Sequence, residues 1–340
     1  MIDRDAYLAY AAQLTERERV LITDFRDWLP ATIIDCHAHC NLSEHVHSVD
    51  ARAYGHMLST FPSFTLEESS RWHAVLHSGT NIRSLRFPKT FRGVDHRAAN
   101  DYLLTNSAPD DRVALYGLPD DPEYTLSMLN HSRVSALKMY YSYLEPPATK
   151  IYEYFPKLVL AAAQAHDIPI VLHPPRNIVV CLDQIIRLSI DFPRLRVCLA
   201  HLSLTKSLVP GLETAFHKLA SYPNVVFDTA LVPSAEVVSM AIELVGVDRI
   251  MYGSDEPLNL IRSVPYTHPE KGERLATDYP YHWVDPKDFQ RYRHLAANAT
   301  HAHWSALGAI RSAIARLPIE KQEATKLAIF HDNAKRFYRF

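Results

Sequence analysis

The chain has 340 residues, 47% of them hydrophobic, and 36 Lys+Arg against 38 Asp+Glu leave a formal net charge of -2. That length and apolar content suffice for a sizeable core, and the near-zero charge excludes a bulk electrostatic grip on nucleic acid or an anionic membrane. The nine glycines form neither a G-x-G-x-x-G nor a G-x-x-x-x-G-K pattern, so the common nucleotide fingerprints are absent, while 19 histidines are an excess that needs explaining.

Met-Ile-Asp-Arg-Asp at residues 1–5 lacks a basic region followed by an apolar one. No run approaches the ~18 apolar residues of a membrane span, so a cytoplasmic location is expected. Residues 5–28 carry helical spacing and many charges and stop at Pro30, a helical lead-in within residues 1–30. A strand over about 32–37 follows in Ile33-Ile-Asp-Cys-His-Ala-His. The two-residue period of a strand puts His37 and His39 on one face. Residues 40–64, rich in His, Ser and Pro, read as a long loop. Its second His-x-His, His45 and His47, follows no apolar run and reads as solvated. Thr65 offers an N-cap for a helix over about 65–77.

A regular alternation then sets in. Strands are expected near 82–87, 112–118, 134–141, 168–173, 195–201, 224–229 and 248–254. Helices are expected near 96–106, 122–131, 152–166, 179–191, 210–221 and 234–245. Strands alternating with helices predict parallel pairing. Eight such units match an α/β fold of the closed (β/α)8 TIM-barrel type, with its active site at the C-terminal strand ends. An open doubly wound sheet is the rival, and it would gather ligands at one switch point. Four of the strand-like runs end in a metal-ligand residue: His37 and His39, then His173, His201 and Asp255. Residues 256–300 hold five prolines and several aromatics and are too long for a simple connection. They read as a lid or specificity insertion, or else an oligomer contact. Helices near 301–316, 319–329 and 331–338 close the chain as one domain over 1–340. Cys36, Cys40, Cys181 and Cys198 contain no C-x-x-C pair, and a chain this long needs no disulfide.

These residues resemble the amidohydrolase superfamily, and within it the amidohydrolase-2 branch that includes aminocarboxymuconate-semialdehyde decarboxylase. The marks are Ile33-Ile-Asp-Cys-His-Ala-His, Ala136-Leu-Lys-Met-Tyr, Val171-Leu-His, Leu199-Ala-His, Asn224-Val-Val-Phe-Asp-Thr, Asp248-Arg-Ile-Met-Tyr-Gly-Ser-Asp and the terminal Asn333-Ala-Lys-Arg-Phe. The resemblance covers Ile33 to Phe340. It implies a barrel with one divalent ion, zinc in most members and manganese as the alternative. The implied ligands are His37, His39, His173 and Asp255, with His201 as the strand-six histidine.

Three histidines and one aspartate leave a coordination position open, which suits catalysis better than a closed structural site. Metal-activated water would attack an ester, lactone or amide carbonyl of a small, carboxylated molecule. Asp255 would move the proton, and His201 would help stabilise the oxyanion. Lys138 divides mechanisms. Some branches carboxylate a strand-four lysine to bridge a second metal, but the reading favoured here is one ion, with Lys138 contacting substrate. Arg92, Arg176 and Tyr140 are further candidates for substrate binding, Arg86 a weaker one, and Asp228 would orient a metal-bound histidine. The rivals are a non-oxidative decarboxylase on the same scaffold and a non-catalytic metal-binding barrel. Some decarboxylases of this branch carry Glu at the first histidine of the pair, a pattern His37 does not follow. A TatD-type nuclease also begins with His-x-His, but the charge argues against it. A small-molecule substrate and a homodimer are the expected partners.

Overall fold

The computed structural model describes residues 13–47, 61, 63–90, 92–280 and 284–340. Residues 5–12 of the expected lead-in, most of the loop over 40–64, and His282 lie outside the described residues. The lead-in appears as α1, Glu16–Arg26. Its start is a capping box: the Thr15 side chain accepts from the Glu18 amide at 3.2 Å, and the Glu18 carboxylate accepts from the Thr15 amide at 2.8 Å.

Eight parallel strands follow in sequential order: β1 Thr32–His39, β2 Asn81–Phe87, β3 Arg112–Tyr116, β4 Val134–Met139, β5 Ile170–Leu172, β6 Val197–Leu199, β7 Val225–Asp228 and β8 Ile250–Met251. The intervening helices are α2 Leu66–Leu76, α3 His96–Asn106, α4 Pro122–Met128, α5 Ile151–Tyr154, α6 Lys157–Ala165, α7 Ile178–Asp191, α8 Leu212–Ala220 and α9 Ala235–Val245. The single helix expected over 152–166 is two pieces, because Pro156 cannot donate within a helix and starts a new one. The barrel closes through the residues after β8. Cys36 N donates to Tyr252 O at 3.0 Å, Asp255 N to His37 O at 2.8 Å and His39 N to Glu256 O at 2.9 Å.

Inside the barrel Ile34, Cys36, Leu85, Ala136, Val171 and Val226 pack together. Ala334, Phe337 and Tyr338 of the last helix join this cluster and plug the N-terminal end. The amide of Asn333 ties that helix to Val247 O and Ile250 O, both at 2.8 Å. The mouth at the other end is therefore the one that stays open. All four cysteines are free and buried.

Residues 256–300 are not structureless. They hold β9 Arg262–His268 and β10 Gly272–Thr277, which with β11 Thr300–His301 form an antiparallel sheet, followed by α10 Pro286–Tyr292 after the hairpin. Pro265 masks this from the sequence, yet it is tolerated because β11 pairs only with Arg262 and Ser263, leaving the other edge of β9 open at Pro265. The chain ends in α11 Ala302–Ala315, α12 Ile319–Leu327 and α13 Asn333–Tyr338.

The histidine excess is only partly spent at the barrel mouth. His77, at the C-terminal cap of α2, and His303 of α11 meet edge to face with ring centroids 4.7 Å apart, both buried, with His73 and His301 nearby. Burial lowers the pKa of His77 to about 3 and of His301 to about 4; His73 and Glu256 face His77, and Glu18 and Arg262 face His301. These rings are neutral when folded but protonate near 6.5 when unfolded, so the unfolded chain binds more protons below that pH. Stability is expected to fall progressively from pH 6.5 downward, by on the order of a few kcal/mol before pH 4. Urea unfolding at pH 7.5 and 5.5 checks this, and the difference should shrink in His77→Leu.

Candidate metal centre

His37 and His39 reach the mouth by a route that strand periodicity does not foresee. Ile34 and Cys36 already point into the barrel, so a regular strand would turn His37 outward. The register slips between Asp35 and Ala38, and this bulge re-aims both histidines inward. Asp35 holds the irregularity: its Oδ1 accepts from the amides of His37 at 3.0 Å and Ser254 at 2.9 Å. The neighbouring Gly253 is required, since a Cβ there would lie 2.8 Å from the His37 Cβ.

His173 and Lys138 follow their strands in phase with Val171 and Ala136. His201 does not follow Cys198 in phase. It opens a left-handed turn, with φ of 57, 46, 59 and 55° at His201, Leu202, Ser203 and Leu204. Each such residue costs roughly 1–2 kcal/mol outside glycine. The turn is held by His201 N donating to Asp228 Oδ1 at 2.8 Å and Thr205 N to His201 O at 3.0 Å. Asp255 is also left-handed, with φ 60°. Strain of this kind concentrates at functional sites.

The four rings share one hydrogen-bonding pattern. The Nδ1 of His37 donates to Asp228 Oδ2 at 2.9 Å, and that of His39 to Pro88 O at 2.8 Å. The Nδ1 of His173 donates to Pro174 O at 3.1 Å, and that of His201 to Ala230 O at 2.8 Å. A carbonyl only accepts, so the Nδ1 of His39, His173 and His201 carries the proton, and each of these rings, when neutral, keeps a lone pair on Nε2. Asp255 lies among them. Its Oδ1 is 3.4 Å from His37 Nε2 and 3.3 Å from His39 Nε2, and its Oδ2 is 4.0 Å from His201 Nε2. The ligand atoms of His37, His201 and Asp255 all lie within 4.8 Å of one another. The His173 ring centroid is 5.2 Å from that of His201. Buried imidazoles with free Nε2 lone pairs beside a carboxylate are the donor set of a divalent ion, and the residues present fit one.

Charges agree with this reading. Burial alone would raise Asp255, but His37, His39 and His201 hold it well below the usual carboxylate range. Burial lowers His39, His173 and His201, the last to about 3. His37 is the exception: burial opposes its charging, but Asp228 and Asp255 outweigh it and raise it to about 9. Burial brings Lys138 down to about 8, against the pull of Asp228 and Asp255. Its Nζ lies 5.0 Å over the Phe87 ring.

These residues surround a cavity of about 350 Å³, a size suited to a small molecule. Lys138 and Tyr140 line it, as do Tyr141, Lys89 and Lys206, which the sequence did not single out. Tyr141 stacks on His173 at 5.5 Å. The signal for Lys89 was available: it trails β2 by two residues, as Arg176 trails His173 by three. Arg92 and Arg176 are not among the described residues that line the cavity. Arg92 is solvent-exposed, 3.8 Å from Glu145, and Arg176 borders a separate groove beside Lys206. Arg86 is buried and paired with Asp111 and Glu256. His45 is buried, contrary to its expected solvation, and accepts from the Leu42 amide at 3.3 Å, whereas His47 is exposed.

A (β/α)8 barrel with this donor set at its mouth defines a class of metal-dependent barrel enzymes. Residues 34–340 match the amidohydrolase family Amidohydro_2, and the chain belongs to that family. No curated protein gives a match. Among solved structures the chain is similar to an amidohydrolase from Burkholderia multivorans with bound zinc (TM-score 0.58, 14% identity, 91% of this chain and 100% of that one). It is also similar to amidohydrolase 2 from Bifidobacterium longum subsp. infantis (TM-score 0.57, 14% identity, 92% and 100%). A third is 5-carboxyvanillate decarboxylase from Sphingomonas paucimobilis (TM-score 0.54, 14% identity, 92% and 100%). At this identity the likeness establishes the fold.

Asp228 buttresses the centre through His37, the His201 amide and the Ala230 amide at 3.1 Å. Asp228→Asn is expected to weaken metal binding by about 10–100-fold, measured by competition with a chromogenic chelator.

Proposed function

We propose that the chain is a metal-dependent hydrolase whose ion is held by His37, His39, His173 and Asp255, with zinc the expected metal and manganese the alternative. The observation that carries this reading is the shared anchoring of four buried imidazoles through Nδ1, three of which face the Asp255 carboxylate with Nε2. A divalent ion bound there supplies Lewis acidity and lowers the pKa of water from about 15.7 to about 7. Asp255, kept ionised by its histidine neighbours, accepts the proton of the attacking water and returns it to the leaving group. His201 offers a lone pair rather than a donor, because its ring proton is committed to Ala230 O. It therefore suits proton acceptance better than the oxyanion role first expected of it, and Lys138 is the cation better placed to face developing negative charge. Tyr140 and Tyr141 form a wall for the substrate body, and the insertion over 256–300 contributes Pro257, Leu258 and Ile261 to the cavity. One ion with a free Lys138 is preferred to a carbamate-bridged pair, since that lysine nitrogen packs over Phe87.

A second reading, release of CO2 from a carboxylated ring, is supported by the decarboxylase among the similar folds and by the lysines in the cavity. The two are separated by incubating zinc- or manganese-loaded protein with lactones and with aromatic acids. Hydrolysis liberates one titratable acid per turnover, and the lyase liberates CO2. A protein that holds metal but yields neither from either panel overturns the catalytic reading and leaves a metal-binding barrel.

A further inference from the structure

A second, smaller cavity adjoins the metal-facing one. Lys206, Leu231, Leu258 and Ile261 line both. The far side of the smaller one is built by the insertion and the helix that follows it. Thr277 of β10 pairs with Ser263 of β9, and Leu275 lies two residues back on the same face. Ala302 and Ser305, three residues apart and so on one face of α11, sit across from them. These five residues line the side cavity and not the metal-facing one.

Two observations mark this space as more than a packing gap. Ser263 is 3% exposed, and its Oγ has no hydrogen-bond partner among the described residues. The facing Thr277 differs, since its Oγ1 donates to Tyr279 O at 2.7 Å. A buried hydroxyl without a partner is costly, and a ligand oxygen would remove that cost. Leu231, in the wall common to both cavities, is held left-handed at φ 51°. A leucine adopts that conformation only where its surroundings impose it, and such strain concentrates at ligand clamps. The rest of the wall is mainly aliphatic, from Pro233, Leu258, Ile261, Leu275 and Ala302. The volume is about 80 Å³. That is roughly half of the ~150 Å³ that admits a benzene ring, so about three heavy atoms fit.

We propose that the side cavity receives a short aliphatic arm of the substrate, about three heavy atoms long, bearing one oxygen that hydrogen-bonds Ser263 Oγ. This rests on the reading of the neighbouring site as a metal centre and adds to it what the substrate carries away from the reacting end. The insertion over 256–300 thereby acts as a specificity element: its sheet supplies the hydroxyl, and α11 sets the depth.

The test is calorimetric titration of the zinc-loaded full chain with metal-binding hydroxamates, which needs no turnover. Benzohydroxamate is compared with its 3-propyl and 4-propyl derivatives, and the tighter of these with its 2-hydroxyethyl isostere. The better propyl derivative is expected to bind at least about tenfold tighter than benzohydroxamate. The hydroxyethyl isostere should stay within about threefold of it, because Ser263 replaces the lost water. Ser263→Ala should cost the hydroxyethyl compound about tenfold and leave the propyl compound within about twofold. Ala302→Phe fills the side cavity, and should cut the propyl advantage below about threefold while zinc content and benzohydroxamate affinity hold. Ser305→Leu repeats the block from the next turn should that variant fail to fold. Zinc-loaded protein that binds benzohydroxamate but gains nothing from either propyl group overturns the side cavity alone. A propyl advantage that survives both blocking variants, or a hydroxyethyl affinity indifferent to Ser263→Ala, overturns it as well. Failure to take up zinc or to bind benzohydroxamate overturns the underlying metal centre instead.

Discussion

Asp255→Asn is expected to lower turnover by about 10³-fold or more while the protein stays folded. The substitution keeps the shape of the side chain and removes only its charge. That charge is what three histidines are arranged around, with Oδ1 facing His37 and His39 and Oδ2 facing His201. An amide cannot accept the proton of the attacking water, and it is a poorer metal donor. Thermal unfolding should show no large loss, because the backbone contact of Asp255 N with His37 O does not involve the side chain. Steady-state rates on whichever substrate class proves active check the first part. Activity near the parent level would remove Asp255 from the chemistry.

Arg86→Leu is expected to destabilise the fold by about 3–5 kcal/mol, the range for a buried charge left without its partner. Arg86 is 3% exposed and sits between two buried carboxylates. Its Nε donates to Asp111 Oδ2 at 3.1 Å, its Nη1 donates to Ser69 Oγ at 2.7 Å, and Nη1 also pairs with Glu256 Oε1. Glu256 is braced further by His73 Nε2 at 3.0 Å and Ser69 Oγ at 2.6 Å. Burial raises the Glu256 pKa, but His73 and Arg86 outweigh it and bring it to about 2. A carboxyl depressed in this way adds stability that is fully present above its unfolded pKa of about 4.3 and is lost as pH falls through 2. The parent protein should therefore lose this contribution between pH 4.3 and 2. The variant should lose less on acidification, because it lacks the Arg86 charge that helps His73 and Ser69 depress Glu256. Urea unfolding across that range gives both quantities. Because Glu256 adjoins Asp255 and closes the barrel on β1, Arg86→Leu should also lower metal occupancy.

The barrel was legible because its elements obey simple periods. The helix expected over 96–106 is His96–Asn106, and the strands at 82–87 and 134–141 fall within one or two residues of β2 and β4. Ligand-type residues at strand ends were legible for the same reason, since parallel strands in a barrel end at one rim. Three things were hidden. The bulge between Asp35 and Ala38 inverts the inward face of β1, so His37 and His39 point inward for a reason other than the period that suggested them. The left-handed turn at His201 contains no glycine to announce it, and tertiary hydrogen bonds impose it. Lys89 and Lys206 lie in loops, where only the three-dimensional path of the chain decides which side chains enter the cavity. Besides Lys138, the sequence drew attention to Arg92 and Arg176, and the structure places Lys89 and Lys206 in the cavity instead.

The account depends on His37, His39, His173 and Asp255 sharing one ion. The direct measurement is elemental analysis of the purified, dialysed protein beside His37→Ala and His173→Ala variants of equal helicity by circular dichroism. About one divalent ion per chain is expected in the parent protein, with loss of most of it in both variants. A parent protein that retains no metal after zinc loading, or variants that retain it undiminished, would contradict the account.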